Sequence, residues 1–285
     1  MTAPDFTVLL PVNRPPHLLA HAIRSVQAQY GASFEMFVIC DGAPDATAKC
    51  AQSFADNDPR IRVLRFEKGQ RHGEAHRHTA LADARGTYVA QIGDDDIWFP
   101  GHLVALRQLL RRVDFGNLLH VEIRRDGTHF LQIGDLSDPR FRKAMLSGNF
   151  NFFGPSSAGY RLSAYRKLPV GWSPAPLGLY TDLHMWRKFV CRDDLVFGTS
   201  FTVESIKPAA SARRDMSLSE RAEEHEHLAV RFADPSERDA YRAAVLNDLP
   251  ANLKDARRLV SHRLIGARFP FLLPTARMLR TLFVR

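Results

Sequence analysis

One stretch of the chain decides the fold, and it reads Tyr88-Val89-Ala90-Gln91-Ile92-Gly93-Asp94-Asp95-Asp96-Ile97-Trp98. The first half is mostly apolar, which is typical of a buried parallel strand. The second half places three consecutive carboxylates at the end of that strand, and ligands of open α/β sheets bind at the carboxyl ends of strands. Three adjacent acids repel one another, so a divalent cation in the company of a nucleoside diphosphate is a natural partner. The alternative is a solvated acidic turn that caps the helix starting near Pro100.

Three more strand and helix pairs precede this stretch. Largely apolar strands are predicted over residues 6–10, 34–40 and 61–66, each followed by a segment with helical spacing or caps, and the fourth strand over 87–92 follows a helix over 74–84. Four such units in succession predict an α/β fold with a doubly wound, mainly parallel sheet and right-handed crossovers. The first turn contains neither G-x-G-x-x-G nor a P-loop, which weighs against a dinucleotide-binding or P-loop domain.

The second half of the chain has a different pattern. Segments 117–125 and 128–133 flank Asp126-Gly127, a strong hairpin signal. Residues 154–160 are rich in Gly, Ser and Pro and indicate a loop at a site, whereas 180–190 indicate a helix that carries Asp182. A late strand is predicted over 196–206, and one or two surface helices over 217–249.

The positive charge of the chain is concentrated at its C-terminal end. The formal net charge is +8, and residues 250–285 contain eight basic residues and one acid, which leaves about +1 for the rest. Such a basic and apolar segment could lie on an anionic membrane surface, pack on the main domain with its arginines outward, or bind nucleic acid. We expect no nucleic-acid partner, because no recognisable binding module accompanies the charge. Three cysteines without C-x-x-C spacing and the lack of a signal peptide indicate a cytoplasmic protein, at the inner face of the membrane if the segment docks there.

Five motifs follow one another along the chain: Leu9 to Arg14, Cys40 to Asp45, Gly69 to Ala84, Gln91 to Trp98, and Tyr180-Thr181-Asp182 followed by Trp186-Arg187. In this order they resemble the motifs of family 2 glycosyltransferases. The resemblance covers residues 5–205 and implies a GT-A fold. It divides the chain into a domain over 1–210, with a nucleotide-sugar-binding half (1–98) and an acceptor-side half (99–210), and a helical basic extension over 211–285.

The resemblance also implies roles for individual residues. The donor, most often a UDP-sugar in this family, would contact Pro11, Val12, Asn13, Arg14, Asp41, Arg77, Asp94 and Asp95. Mg²⁺ or Mn²⁺ would be held by Asp95 and Asp96, and Asp182 would be the general base of an inverting transfer. Trp186 and Arg187 would line the side that receives a glycan or lipid-linked acceptor, although a Trp one turn along a helix is more often a core residue.

The chain departs from the family pattern at several positions. Gly93 stands where the first Asp of the Asp-x-Asp motif is usual, Cys40 replaces the first Asp of the base-binding turn, and His78 stands where Asn is common. His72 and His76 are four residues apart, a spacing that could bind zinc but lacks a third ligand in sequence. Two rival functions therefore stay open: a non-catalytic sugar-nucleotide-binding scaffold, and a nucleotidyltransferase, although the latter usually carries a Gly-rich first turn.

Overall fold

The computed structural model describes residues 3–268. In chain order its main elements are β1 (Phe6–Val12), α1 (Leu19–Gln27), β2 (Phe34–Asp41), α2 (Asp45–Asn57), β3 (Ile61–Phe66), α3 (Glu74–Ala82), β4 (Tyr88–Gln91), β5 (Ile97–Trp98), α4 (His102–Leu110), β6 (Phe115–Asn117), β7 (His120–Ile123), β8 (His129–Gln132), α5 (Pro139–Ser147), β9 (Ala158–Arg161), α6 (Leu162–Arg166), α7 (Thr181–Val190), β10 (Phe197–Thr199), β11 (Ser205–Ile206), α8 (Leu218–Arg231) and α9 (Pro235–Arg268).

A seven-stranded sheet forms the centre of the fold, in the order β10-β6-β9-β4-β1-β2-β3. Strands β1 to β4 are mutually parallel, and β9 runs antiparallel to both β4 and β6. The carboxyl ends of β1, β2, β4 and β6 therefore meet at the same edge as the amino end of β9. The mainly parallel α/β sheet predicted from the sequence is confirmed.

Successive residues of β1 show why the sheet is covered on both faces. Val8 and Leu10 belong to one buried apolar cluster, which includes Ile23 of α1, while Leu9 belongs to a second cluster on the opposite face, with Phe189 of α7. Side chains of a strand alternate between faces, so a strand that is apolar at every position must be buried on both.

The second half departs from the sequence prediction at two places. Residues 154–160 are not one loop, because Pro155–Ser157 form a short 3-10 turn and the next residues form β9, a strand inside the sheet. The strand expected over 196–206 is two short strands, β10 in the central sheet and β11 paired with β5. The hairpin around Asp126-Gly127 is present as β7 and β8, with Gly127 at φ +80°.

Helices follow residue 210, as predicted, and they pack closely on the sheet domain. Phe232 of the α8 C-terminus and Tyr241 of α9 share an apolar cluster with Ile97 and Phe99, whereas Val260 of α9 packs into the cluster beneath α7. The division of the chain at residue 210 stays a prediction, and the end of the basic segment, residues 269–285, lies outside the described residues.

Within residues 3–268, no helix is both long enough and apolar enough to cross a membrane.

Candidate active site

The acidic triplet Asp94 to Asp96 lies at the ligand-binding edge of the sheet, just after β4. Its three residues are buried, with 6%, 7% and 2% of their surface exposed. The turn is held by the 3-10 turn that precedes β9, because the backbone N–H of Gly93 donates to Ser156 Oγ at 2.9 Å and the Ser156 hydroxyl donates to Asp96. Ser156 therefore belongs to the site, and its sequence signal was the Gly, Ser and Pro-rich run.

Arg14, in the turn after β1, reaches two of the three acids. Its Nε and Nη2 donate to the two carboxylate oxygens of Asp94 at 2.7 and 2.6 Å, and Nη2 lies 3.2 Å from Asp95 Oδ1. Burial alone lowers the pKa of Arg14, but the carboxylates outweigh it and raise the pKa above its ordinary value. Of the other first-turn residues predicted to touch the donor, Val12 is buried at the end of β1 and Asn13 is exposed beside it.

Two further cations approach the triplet from the C-terminal part of the chain. Lys207 Nζ lies 3.4 Å from Asp96 Oδ1, and Arg221 Nη2 of α8 lies 3.3 Å from Asp95 Oδ2. The negative charge of Asp96 raises the pKa of Lys207. Although burial raises the pKa of Asp95, Lys207, Arg14 and Arg221 together lower it below the ordinary value.

His225, one turn further along α8, completes this contact. Its Nε2 lies 3.0 Å from the carbonyl oxygen of Asp95 and its Nδ1 2.7 Å from the carbonyl oxygen of Arg221. Both contacts join a ring nitrogen to a backbone carbonyl oxygen, so His225 ties α8 to the acidic turn. The helices predicted over 217–249 are present, and one face of α8 is buried against the site, where Arg221 is 7% exposed and His225 is fully buried.

Asp41, at the end of β2, is wrapped by the loop before α3. Lys68 Nζ donates to its Oδ2 and the Gly69 N–H to its Oδ1, both at 2.6 Å. Gly73 adopts φ +65°, and a Cβ there would lie 2.4 Å from the Asp41 carboxyl carbon. Only glycine fits at position 73, so the loop is built around this carboxylate. The predicted contact of Asp41 with the base or ribose stays a prediction.

Arg77 of α3 is a buried cation with unused hydrogen-bonding capacity. It is 6% exposed, its guanidinium carbon lies 5.0 Å from the ring centroid of Trp172, and burial lowers its pKa. Among the described residues neither Nε nor Nη1 has a hydrogen-bond partner. Buried donors without partners are costly, so this arrangement favours an anionic ligand that accepts from them.

Asp182 lies in the first turn of α7 and is partly exposed. The Asn151 side chain donates to its Oδ2 at 3.0 Å and the Leu183 N–H to its Oδ1 at 2.9 Å. Desolvation raises the pKa of this carboxyl, while His120 and Lys207 are near enough to oppose the rise. Lys207 is thus close to both the predicted base and the acidic triplet.

The two residues predicted to line the acceptor side, Trp186 and Arg187, both contact other parts of the protein. Trp186 is 1% exposed and packs among Phe115, Phe153 and Trp172, so it is a core residue, and its predicted contact with an acceptor is wrong for this structure. The guanidinium of Arg187 donates to the carbonyl oxygens of Met145 and Gly148, each at 2.7 Å, and fixes the end of α5.

The side chains predicted to bind a divalent metal do not form a ligand cluster. The described residues contain no group of three or more His, Cys, Asp or Glu side chains arranged to hold a metal ion. Asp95 and Asp96 each face a cation instead. The same finding excludes the His72 and His76 zinc site from the described part of the chain, where His76 stacks on Phe66 at 4.4 Å. Because Asp95 and Asp96 are paired with cations, the residues present do not fit the expected Mg²⁺ or Mn²⁺ site.

A mainly parallel sheet with one antiparallel strand, and acids and cations gathered at the carboxyl ends, defines a GT-A domain of the kind that binds sugar nucleotides. The family model "Glycosyl transferase family 2" matches residues 7–168. The chain belongs to glycosyl transferase family 2.

Known proteins agree with this assignment. A Campylobacter jejuni protein, "GalNAc(5)-diNAcBac-PP-undecaprenol beta-1,3-glucosyltransferase", is 26% identical over 52% of this chain and 50% of its own length. Two other curated relatives, 34% and 30% identical, are aligned over only 12% and 30% of their own length.

Solved structures share the fold. The Staphylococcus aureus protein TarS, residues 1–349, in complex with UDP-GlcNAc, has a TM-score of 0.55 at 15% identity and covers 71% of this chain and 58% of that one. The mannosyltransferase PcManGT of Pyrobaculum calidifontis, in complex with GDP-Man and Mn²⁺, has a TM-score of 0.54 at 19% identity, with 97% and 84% coverage. These two neighbours bind different nucleobases, so the fold does not determine the donor.

Proposed function

We propose that this chain transfers a sugar from a nucleoside-diphosphate sugar to a hydroxyl group of a glycan or lipid-linked acceptor, with inversion at the anomeric carbon. One observation carries the proposal. Asp182 is a partly exposed carboxyl with a raised pKa, fixed by Asn151 and placed near Lys207 at the ligand-binding edge of the sheet. A base should titrate nearer to working pH than a free carboxyl does, and desolvation has that effect.

In this mechanism the acceptor oxygen attacks the anomeric carbon as the bond to the diphosphate breaks on the opposite side. The electron pair of that bond leaves with the diphosphate, and the acceptor proton passes to Asp182. Arg77 supports the leaving diphosphate through Nε and Nη1, which have no hydrogen-bond partner among residues 3–268. No step is given to a divalent metal, because its expected ligands are paired with cations.

The first test is binding of nucleotides to the purified protein. We expect one of UDP, GDP, TDP and CDP, or its sugar, to raise the melting temperature, because a ligand at a hundredfold excess over Kd stabilises the native state by about 2.7 kcal/mol. A UDP-sugar is the first candidate. The Arg77→Met variant should lose this shift while keeping its own melting transition. A protein that responds to no nucleotide, with or without Mn²⁺, would contradict the proposal.

A non-catalytic sugar-nucleotide-binding protein is the second candidate, favoured by the glycine at position 93 and by the paired acids. Both candidates bind the nucleotide, but only the enzyme releases it from its sugar in the presence of an acceptor. Release of nucleoside diphosphate, followed with a coupled assay, separates them.

We also propose that the C-terminal extension contacts an anionic membrane surface on the cytoplasmic side. A groove of about 630 Å³ between α5 and α9 is lined by the cations Arg140, Lys254, Arg257 and Arg258, with His262 beside them. Each Lys or Arg near an anionic bilayer contributes about 1 kcal/mol to the free energy of membrane binding. Co-sedimentation with vesicles containing an anionic phospholipid should therefore be lost in a Lys254→Glu, Arg258→Glu double variant. Binding to neutral vesicles alone would contradict this role.

A further inference from the structure

The acidic triplet is electrically balanced by the protein itself. Asp94 pairs with Arg14, Asp95 with Arg14 and Arg221, and Asp96 with Lys207. Three carboxylates thus face three permanent cations, at nitrogen–oxygen distances between 2.6 and 3.4 Å. Without a nucleotide, the triplet therefore has no excess of negative charge with which to attract a divalent cation.

The packing around Gly93 adds a steric argument. A Cβ at position 93 would lie 3.0 Å from Asp96 Oδ2 and 3.3 Å from Asp95 Oδ1. An aspartate at this position would force the neighbouring carboxylates to move. The glycine at position 93 therefore leaves room for the carboxylates of Asp95 and Asp96 in the positions where they pair with cations, and it adds no carboxylate of its own.

The cations also remain accessible to a ligand. The side chains of Arg14 and Lys207 are 31% and 32% exposed, whereas those of Asp94, Asp95 and Asp96 are at most 10% exposed. A diphosphate arriving at this edge therefore meets positive groups at the surface, with the carboxylates behind them.

We propose that Arg14, Lys207 and Arg221 take the place of a divalent metal at the donor site, so that this protein binds its nucleotide without a metal ion. This inference rests on the proposed function, since it concerns the same donor site. It makes Arg14 and Lys207 direct contacts of the diphosphate, and Arg221 a positioning residue that holds Asp95 from α8.

Two measurements test the inference. The first is calorimetric titration with the nucleoside diphosphate that stabilises the protein, in EDTA and in Mn²⁺. We expect the same Kd in both, and a loss of about tenfold in EDTA for Lys207→Gln, which removes one charge-assisted contact. A nucleotide that binds only in the presence of Mn²⁺ overturns the inference while leaving the proposed function intact.

The second measurement uses the ligand-free protein and Mn²⁺ alone, with the free-ion EPR signal as readout. The wild-type protein should leave the signal unchanged, and Arg221→Gln should gain Mn²⁺ binding, because it leaves Asp95 with one cation fewer. Arg231→Gln, on the same helix but exposed and paired with Glu237, should behave like wild type. Lys207→Gln provides a second variant if Arg221→Gln does not fold.

Tight Mn²⁺ binding by the folded wild-type protein overturns the inference whatever the nucleotide result. If no nucleotide binds in either buffer, the proposed function fails, and the Mn²⁺ titration still decides whether the cations exclude a metal from the triplet.

Discussion

Replacing Asp182 by asparagine is expected to lower the rate of sugar transfer by about 10²–10⁴-fold, the usual contribution of a positioned general base. The substitution keeps the volume of the side chain and its hydrogen bond from the Leu183 N–H, but removes the group that accepts the acceptor proton. The affinity for the nucleotide should stay near that of the wild-type protein. Nucleoside diphosphate release and calorimetry measure these two quantities separately.

The role of Asp182 as the base also predicts the direction in which activity changes with pH. Desolvation raises the pKa of Asp182, so the ionised base forms at higher pH than for an ordinary aspartate, and activity should rise with pH through that pKa. Asn151→Leu removes a hydrogen bond that stabilises the carboxylate, which should move the acid limb to still higher pH. An Asp182→Asn variant with wild-type turnover, or an acid limb unaffected by Asn151→Leu, would exclude Asp182 as the base.

The first four strands were predictable because their signal is local. Each is a short apolar run that ends in a turn, and parallel pairing then brings Arg14, Asp41 and the acidic triplet to one edge of the sheet. The order of the motifs along the chain was enough to place them together.

The partners of the acids were not predictable in the same way. Arg221 and Asp95 are 126 residues apart, and a helix with acids and bases on several faces gives no sign of which face is buried. Strand β9 was missed for a related reason, because its short Ala158–Arg161 segment gains its strand conformation only by pairing between β4 and β6. Long-range packing decided both cases.

Trp186 shows where helical spacing was insufficient. It follows Asp182 by four residues on α7, so the two side chains share one side of the helix, and the family pattern places that side near the acceptor. The two side chains differ in burial: Asp182 lies in the first turn of α7 and is partly exposed, whereas Trp186 lies one turn further along, among buried aromatic side chains.

Trp186→Ala is therefore expected to lower the free energy of unfolding by about 3–5 kcal/mol, as for other large aromatic residues truncated in a core. The ring packs against Phe115, Phe153 and Trp172, with ring centroids 5.1, 5.6 and 5.7 Å apart. Trp172 in turn lies under Arg77, so the donor site should loosen together with the core. Denaturant unfolding followed by circular dichroism measures the loss.

Trp186→Phe is the matched control, because it keeps an aromatic ring in the cluster and removes the indole N–H, which has no hydrogen-bond partner among the described residues. A buried donor without a partner costs about 1–3 kcal/mol, which offsets part of the packing lost with the smaller ring. The phenylalanine variant should therefore be much more stable than the alanine variant, with wild-type acceptor KM. A Trp186→Ala protein of native stability with a raised acceptor KM would restore Trp186 to the acceptor site, because only a surface residue can change substrate binding without disturbing the core.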